Sequence, residues 1–145
     1  MYRVLVPIDN SQSRTTAQVN AVSSLPDADG SVEVTLLRVF EDRETAESTS
    51  VTQLTTGNAA REALIEHGIS VETTSQHGDP AEQILRAADE IDADLIVLGG
   101  RKRSPLGSLL FGSVSQAVML DATRPVAVTG GIAEPDSGEE ATTAA

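Results

Sequence analysis

The sequence predicts one doubly wound α/β domain, an open five-stranded parallel sheet with helices on both faces and strand order 3-2-1-4-5. Five short β-like runs, four of them rich in Val, Ile and Leu, recur along the 145 residues, and helical patterns separate them. The runs are nearly continuous in apolar residues rather than alternating, as strands covered on both faces are. A chain of this length makes a single domain with a proper core.

The elements follow in order. The first strand is Arg3–Ile8, "RVLVPI", and a helix over about Gln12–Leu25 carries the apolar stripe Ala17, Ala21, Val22 and Leu25. The second strand is Val32–Phe40, "VEVTLLRVF". The polar stretch Glu41–Thr56 reads as a long mobile loop, and the helix after it ends near His67, with Gly68 as its stop signal. Ser70–Gln76 is the weakest strand. Asp79 is a good N-cap, Pro80 suits the first helical position, and Glu82 has capping-box spacing. Ala81, Ile84, Leu85, Ala88 and Ile91 then share one helical face. The fourth strand, Asp94–Leu98, is bounded by Gly99 and Gly100. A last helix opens at Ser113, with Gln116 at capping-box spacing and Val114, Ala117 and Val118 on its apolar face. The last strand is Pro125–Thr129. The domain is expected to span 1–130, and 131–145 to form a disordered acidic tail, having too few apolar residues to fold alone.

Composition narrows the function. There is no cysteine, which excludes disulfides, thiolate metal sites and cysteine catalysis, and His67 and His77 lack metal-ligand spacing. No apolar run approaches the roughly 20 residues that span a bilayer, and the N-terminus lacks a signal-peptide pattern, so a cytoplasmic protein with no membrane partner is expected. A formal net charge of −12 argues against nucleic acid, which is bound through clustered Lys and Arg. Nine arginines against one lysine, among many acidic residues, point to a surface adapted to high salt.

Against this acidity, "LGGRKRSPLGSLLFGS" places Arg101, Lys102 and Arg103 directly after the fourth strand. Open parallel sheets bind ligands beyond the carboxyl ends of strands where strand order reverses, here between the first and fourth strands. Their carboxyl ends are Pro7–Asp9 and Leu98–Gly100. Gly99 and Gly100 permit close backbone approach, and Gly112 and Ser113 precede a helix whose N-terminal amides favour an anion. Asp9, an acceptor when ionised, suits a ribose hydroxyl or a hydrated Mg²⁺. Each of these residues also has an ordinary role: Ser113 as a helix start, the glycines as strand ends, Asp9 as a turn or cap, the basic triplet as a solvated face.

"RVLVPID", "HGDPAEQIL" and the glycine-bounded loop, in this order and spacing, resemble the universal stress protein family from about Arg3 to Thr129, and the composition that of an acidic, haloarchaeal-like member. The resemblance implies a Rossmann-like nucleotide-binding topology, homodimers through the last strand, and ATP as ligand in many members, with or without Mg²⁺. The ATP-binding members' loop runs Gly, two residues, Gly, nine residues, then Gly with Ser or Thr. Gly99, Gly112 and Ser113 match it; Lys102 stands where the second glycine would be. By the same resemblance Pro7, Asp9 and Val39 line the adenine and ribose pocket, and Val114 adjoins the phosphate end. The leading expectation is an ATP-binding stress-response regulator with an unidentified protein partner and no significant catalysis. A nucleotide-free dimeric interaction module is the alternative. A slow ATPase ranks third, since no Walker A pattern or water-orienting partner for Asp9 is evident.

Overall fold

Val4, Leu5 and Val6 are almost wholly buried because their strand, β1 (Tyr2–Pro7), lies at the centre of the sheet with helices on both sides. The computed structural model describes residues 1–100 and 112–130. β1 pairs in parallel with β2 (Val32–Phe40) from Tyr2↔Val32 to Pro7↔Leu37. On its other side it pairs with β4 (Leu95–Leu98) only at Val4↔Leu95 and Leu5↔Ile96. β3 (Ser70–His77) extends the sheet beyond β2, and β5 (Val126–Val128) extends it beyond β4. The order is β3-β2-β1-β4-β5, as the sequence predicts, with every pairing parallel. The reversal therefore lies between β1 and β4.

Two apolar layers cover the sheet. On one face Val19 and Val22 of α1 (Gln12–Ser23) and Ala60 and Leu64 of α4 (Thr55–Glu66) pack over Val4, Val6, Val34 and Leu36. On the other, Ile84, Ala87 and Ala88 of α5 (Pro80–Glu90) and Val118 of α6 (Ser113–Asp121) pack over Leu5, Leu37, Ile96 and Leu98. Asp79 caps α5 as expected, its carboxylate accepting from the Glu82 amide at 3.0 Å, with Pro80 opening the helix. A four-residue turn of helix, α2 (Ala28–Ser31), precedes β2.

Two expectations are corrected. Glu41–Thr56 is not one long loop. Asp42 caps α3 (Arg43–Ser48), accepting from the Thr45 amide at 2.8 Å, and bonds from Thr45 hold its carboxyl below the usual range. A 3-10 turn, Val51–Gln53, follows, in which Gln53 Oε1 accepts from the Ser50 amide at 2.6 Å and Val51 is 1% exposed. Local caps and one buried anchor order a stretch too polar to show a periodic stripe. The second correction concerns α1, whose buried residues are Thr15, Gln18, Val19 and Val22. Ala21 and Leu25 pack at the margin of the core. No helix among the described residues is long and apolar enough to cross a membrane.

Candidate functional site

Where β1 and β4 part, the chain builds a cavity of about 280 Å³ over the carboxyl ends of the strands. Six separate segments supply its wall, among them Arg14 and Gln18 of α1 and Pro80 and Ile84 of α5. Pro7, Ile8 and Asp9 come from the end of β1, and Leu37, Arg38 and Val39 from the end of β2. Leu98 and Gly99 end β4, while Gly112, Ser113, Val114 and Ser115 open α6. The cavity thus brings together Pro7, Asp9, Val39, Gly99, Gly112, Ser113 and Val114, all seven of the predicted site residues that fall in the described chain. Arg101, Lys102 and Arg103 lie outside the described residues; Gly99 and Gly112, near the two ends of that stretch, both line the cavity.

The start of α6 differs in one detail from the expected capping box. Gly112 is the N-cap, in an extended conformation at φ −77° and ψ 168°, and no side chain caps the helix. The first intrahelical bond runs from the Gln116 amide to the Gly112 carbonyl at 3.0 Å. Ser113, Val114 and Ser115 therefore begin the helix with amides that have no helical acceptor, and all three residues line the cavity. The Ser113 hydroxyl is not consumed as a cap. Amides and helix dipole together make this end of the cavity receptive to negative charge.

Asp9 borders the cavity from the end of β1. Its Oδ1 accepts from the Ser11 amide at 2.9 Å, forming the turn that leads into α1. Its Oδ2 accepts from Arg14 Nη2 at 2.9 Å and from Nε at 3.1 Å. The Asp9 backbone carbonyl accepts from the Thr56 hydroxyl at 2.7 Å. Both sequence readings of Asp9 are thus realised in position: it is a turn residue and it borders the cavity. As a metal ligand it fits poorly. A divalent cation on this carboxylate would have to displace the Arg14 guanidinium, and the described residues contain no group of three or more metal-ligating side chains.

Sequence reasoning missed four polar contributors. Arg14 and Gln18 enter from α1, Arg38 from β2 and Ser115 from α6. Arg38 lies over the Phe40 ring, 5.6 Å from its centroid. Arg14 could have been anticipated, because an Asx turn at Asp9 places the first turn of the next helix within reach of the carboxylate. Gln18 had no such signal: it reads as a solvent-facing polar residue, yet it is 2% exposed.

The model for the universal stress protein family matches residues 1–130. A universal stress protein from Mycolicibacterium smegmatis is 42% identical over 64 residues, which are 43% of this chain and 49% of that protein. The match spans about half the length of that curated relative. Among solved structures, a universal stress protein from Archaeoglobus fulgidus superposes with a TM-score of 0.72 at 27% identity, covering 89% of this chain and 98% of that one. A universal stress protein family member from Arabidopsis thaliana, solved with AMP bound, superposes with a TM-score of 0.68 at 19% identity. It covers 99% of this chain and 97% of its own, and at that identity the likeness speaks to the fold alone.

Proposed function

The chain belongs to the universal stress protein family, and from that premise we propose that it is an adenine-nucleotide-binding regulatory protein, with ATP as ligand, acting as a homodimer without significant catalysis. One observation carries the reading: residues from four segments, chosen from the sequence for nucleotide contact, line one cavity at the strand-order reversal. The AMP complex of the Arabidopsis relative supports the choice of ligand class.

In this reading the parts divide by chemistry. Pro7, Val39, Leu37 and Ile84 offer an apolar wall for the adenine ring. Phosphates meet the α6 amides that have no helical acceptor, with Ser113 as a further donor. Arg101, Lys102 and Arg103, outside the described residues, enter this reading only by the resemblance, as helper cations for the phosphates, with Lys102 a point charge where the family pattern has glycine. Mg²⁺ would arrive on the phosphates, since Asp9 is engaged by Arg14. The wall supplies donors, acceptors and apolar surface, while its one carboxylate is held by a guanidinium. That composition suits retention of a nucleotide better than activation of water.

The homodimer is proposed through β5. This edge strand pairs with β4 on one side, and among the described residues it has no partner strand on the other. Val126 and Val128 are only half-buried, and Leu120 of α6 is 84% exposed beside them in the chain. A ligand can favour one dimeric or partner-bound state only by binding that state more tightly.

Replacing Gly112 by valine tests the site. A branched side chain beside the first amides of α6 obstructs close phosphate approach, and ATP affinity is expected to fall at least roughly tenfold, about 1.4 kcal/mol. The fold should be retained, because Gly112 has dihedrals open to any residue. Calorimetric titration of the folded variant checks this. Affinity equal to the wild type would remove the phosphates from the α6 end.

A further inference from the structure

The orientation of one buried amide divides this cavity into chemically different parts. β1 and β4 pair last at Leu5↔Ile96, and beyond that point the strands separate. Gln18 of α1 closes the gap: its Nε2 donates to the Pro7 carbonyl at 2.6 Å and to the Val97 carbonyl at 3.0 Å. One side-chain amide thus takes the place of the ladder bonds the separating strands lack. Both hydrogens of the NH₂ group are used. A flipped amide would set Oε1 against two carbonyl oxygens, so the network fixes which atom points where.

Oε1 is consequently an obligatory acceptor. It accepts no hydrogen bond among the described residues, and Gln18 lines the cavity. It sits beside Gly99, where a Cβ would lie 3.3 Å from it. A fixed acceptor at a buried position favours a hydroxyl or amino donor and disfavours an anionic oxygen, the reverse of the preference at the start of α6. Gln18 also spans the two walls. In the nucleotide reading Pro7, which it bonds, lines the adenine pocket, and Gly99, which it abuts, opens the glycine-bounded loop that the resemblance assigns to the phosphates. In a nucleotide the ribose lies between those groups.

We propose that Gln18 Oε1 is a specificity-determining acceptor for a ribose hydroxyl of the bound nucleotide. The assignment rests on the nucleotide-binding reading above. A ligand without that hydroxyl leaves a buried acceptor unpaired, and such sites discriminate more sharply than apolar pockets do.

The test is calorimetric titration of the full chain with ATP, 2′-deoxy-ATP and 3′-deoxy-ATP, repeated in a Gln18→Met variant shown by circular dichroism to be folded. The wild type is expected to bind one deoxy analogue roughly five- to tenfold more weakly than ATP, the range of a single hydrogen bond. That difference should vanish in Gln18→Met. Equal binding of all three ligands by the wild type overturns the assignment without any variant. So does a preference that survives in Gln18→Met. If Gln18→Met does not fold, a crystal structure of the wild type with ATP decides: a ribose hydroxyl within hydrogen-bond distance of Gln18 Oε1 supports the assignment, and both hydroxyls held elsewhere overturn it. A wild type that binds no ATP at all overturns the nucleotide reading itself and this assignment with it.

Discussion

Replacing Gly57 by alanine is expected to destabilise the protein by about 3 kcal/mol, the upper part of the range for overpacked cores. Gly57 is the third residue of α4 and is pressed against the 3-10 turn that precedes the helix. A Cβ built there collides with the Val51 carbonyl oxygen, and it lies 2.8 Å from Val51 Cγ1 and 3.0 Å from the Val51 carbonyl carbon. The obstruction is backbone, so no rotamer change relieves it. Val51 is itself 1% exposed and part of the core over β1 and β2, so it cannot retreat without opening that layer. Alanine ordinarily favours a helix by about 1 kcal/mol over glycine, which makes the sign of the result informative. For a domain of this size the loss corresponds to a fall in Tm on the order of 10 °C. A thermal melt with an unchanged or raised Tm would show that the turn does not pack on α4 as described.

Gly100→Ala is expected to cost roughly 2 kcal/mol, and at the edge of the candidate site. A Cβ on Gly100 collides with the Thr129 carbonyl oxygen and lies 3.4 Å from Val128 Cγ1. The Gly100 amide donates to the Thr129 hydroxyl at 3.1 Å, and the Thr129 amide donates to the Leu98 carbonyl at 3.0 Å. Together these bonds close the carboxyl ends of β4 and β5. The cost is smaller than at Gly57 because β5 is a short edge strand and can shift outward. That shift would carry away the proposed dimer edge. Chemical denaturation of Gly100→Ala should therefore show lower stability, and sedimentation should show weaker self-association than in the wild type. Wild-type stability in the variant would contradict the close approach of Gly100 to Thr129.

Much of this architecture is legible in the sequence because it rests on apolar runs. Val4, Leu5 and Val6, Leu36 and Leu37, and Ile96 to Leu98 are buried from both faces, so their strands appear as unbroken hydrophobic stretches. Once the strands are ordered, the reversal between β1 and β4 follows, and with it the meeting of Pro7, Asp9, Val39, Gly99 and Gly112. What the sequence hides is polar structure within buried places. Gln18 and Thr15 occupy the inward face of α1, where an apolar stripe is sought, and so the stripe Ala17, Ala21, Val22 and Leu25 captures only Val22 of the buried face and leaves Ala21 and Leu25 at its margin. Gln18 is there because two strand-end carbonyls need a donor, a requirement visible only once β1 and β4 are placed together. Likewise α3 and the turn after it depend on single caps from Asp42 and Gln53. Arg38 reads as one more polar strand residue until the end of β2 is seen beside the cavity.

The central claim is that the cavity between β1 and β4 holds an adenine nucleotide. It is tested most directly by calorimetric titration of the purified wild type with ATP and Mg²⁺, in salt high enough to suit an acidic chain of net charge −12. Saturable binding of one ATP per chain, lost or weakened at least roughly tenfold in Gly112→Val, is the predicted result. No heat of binding and no thermal shift in the folded wild type would contradict it, and would leave the β5 edge and self-association as the basis of function.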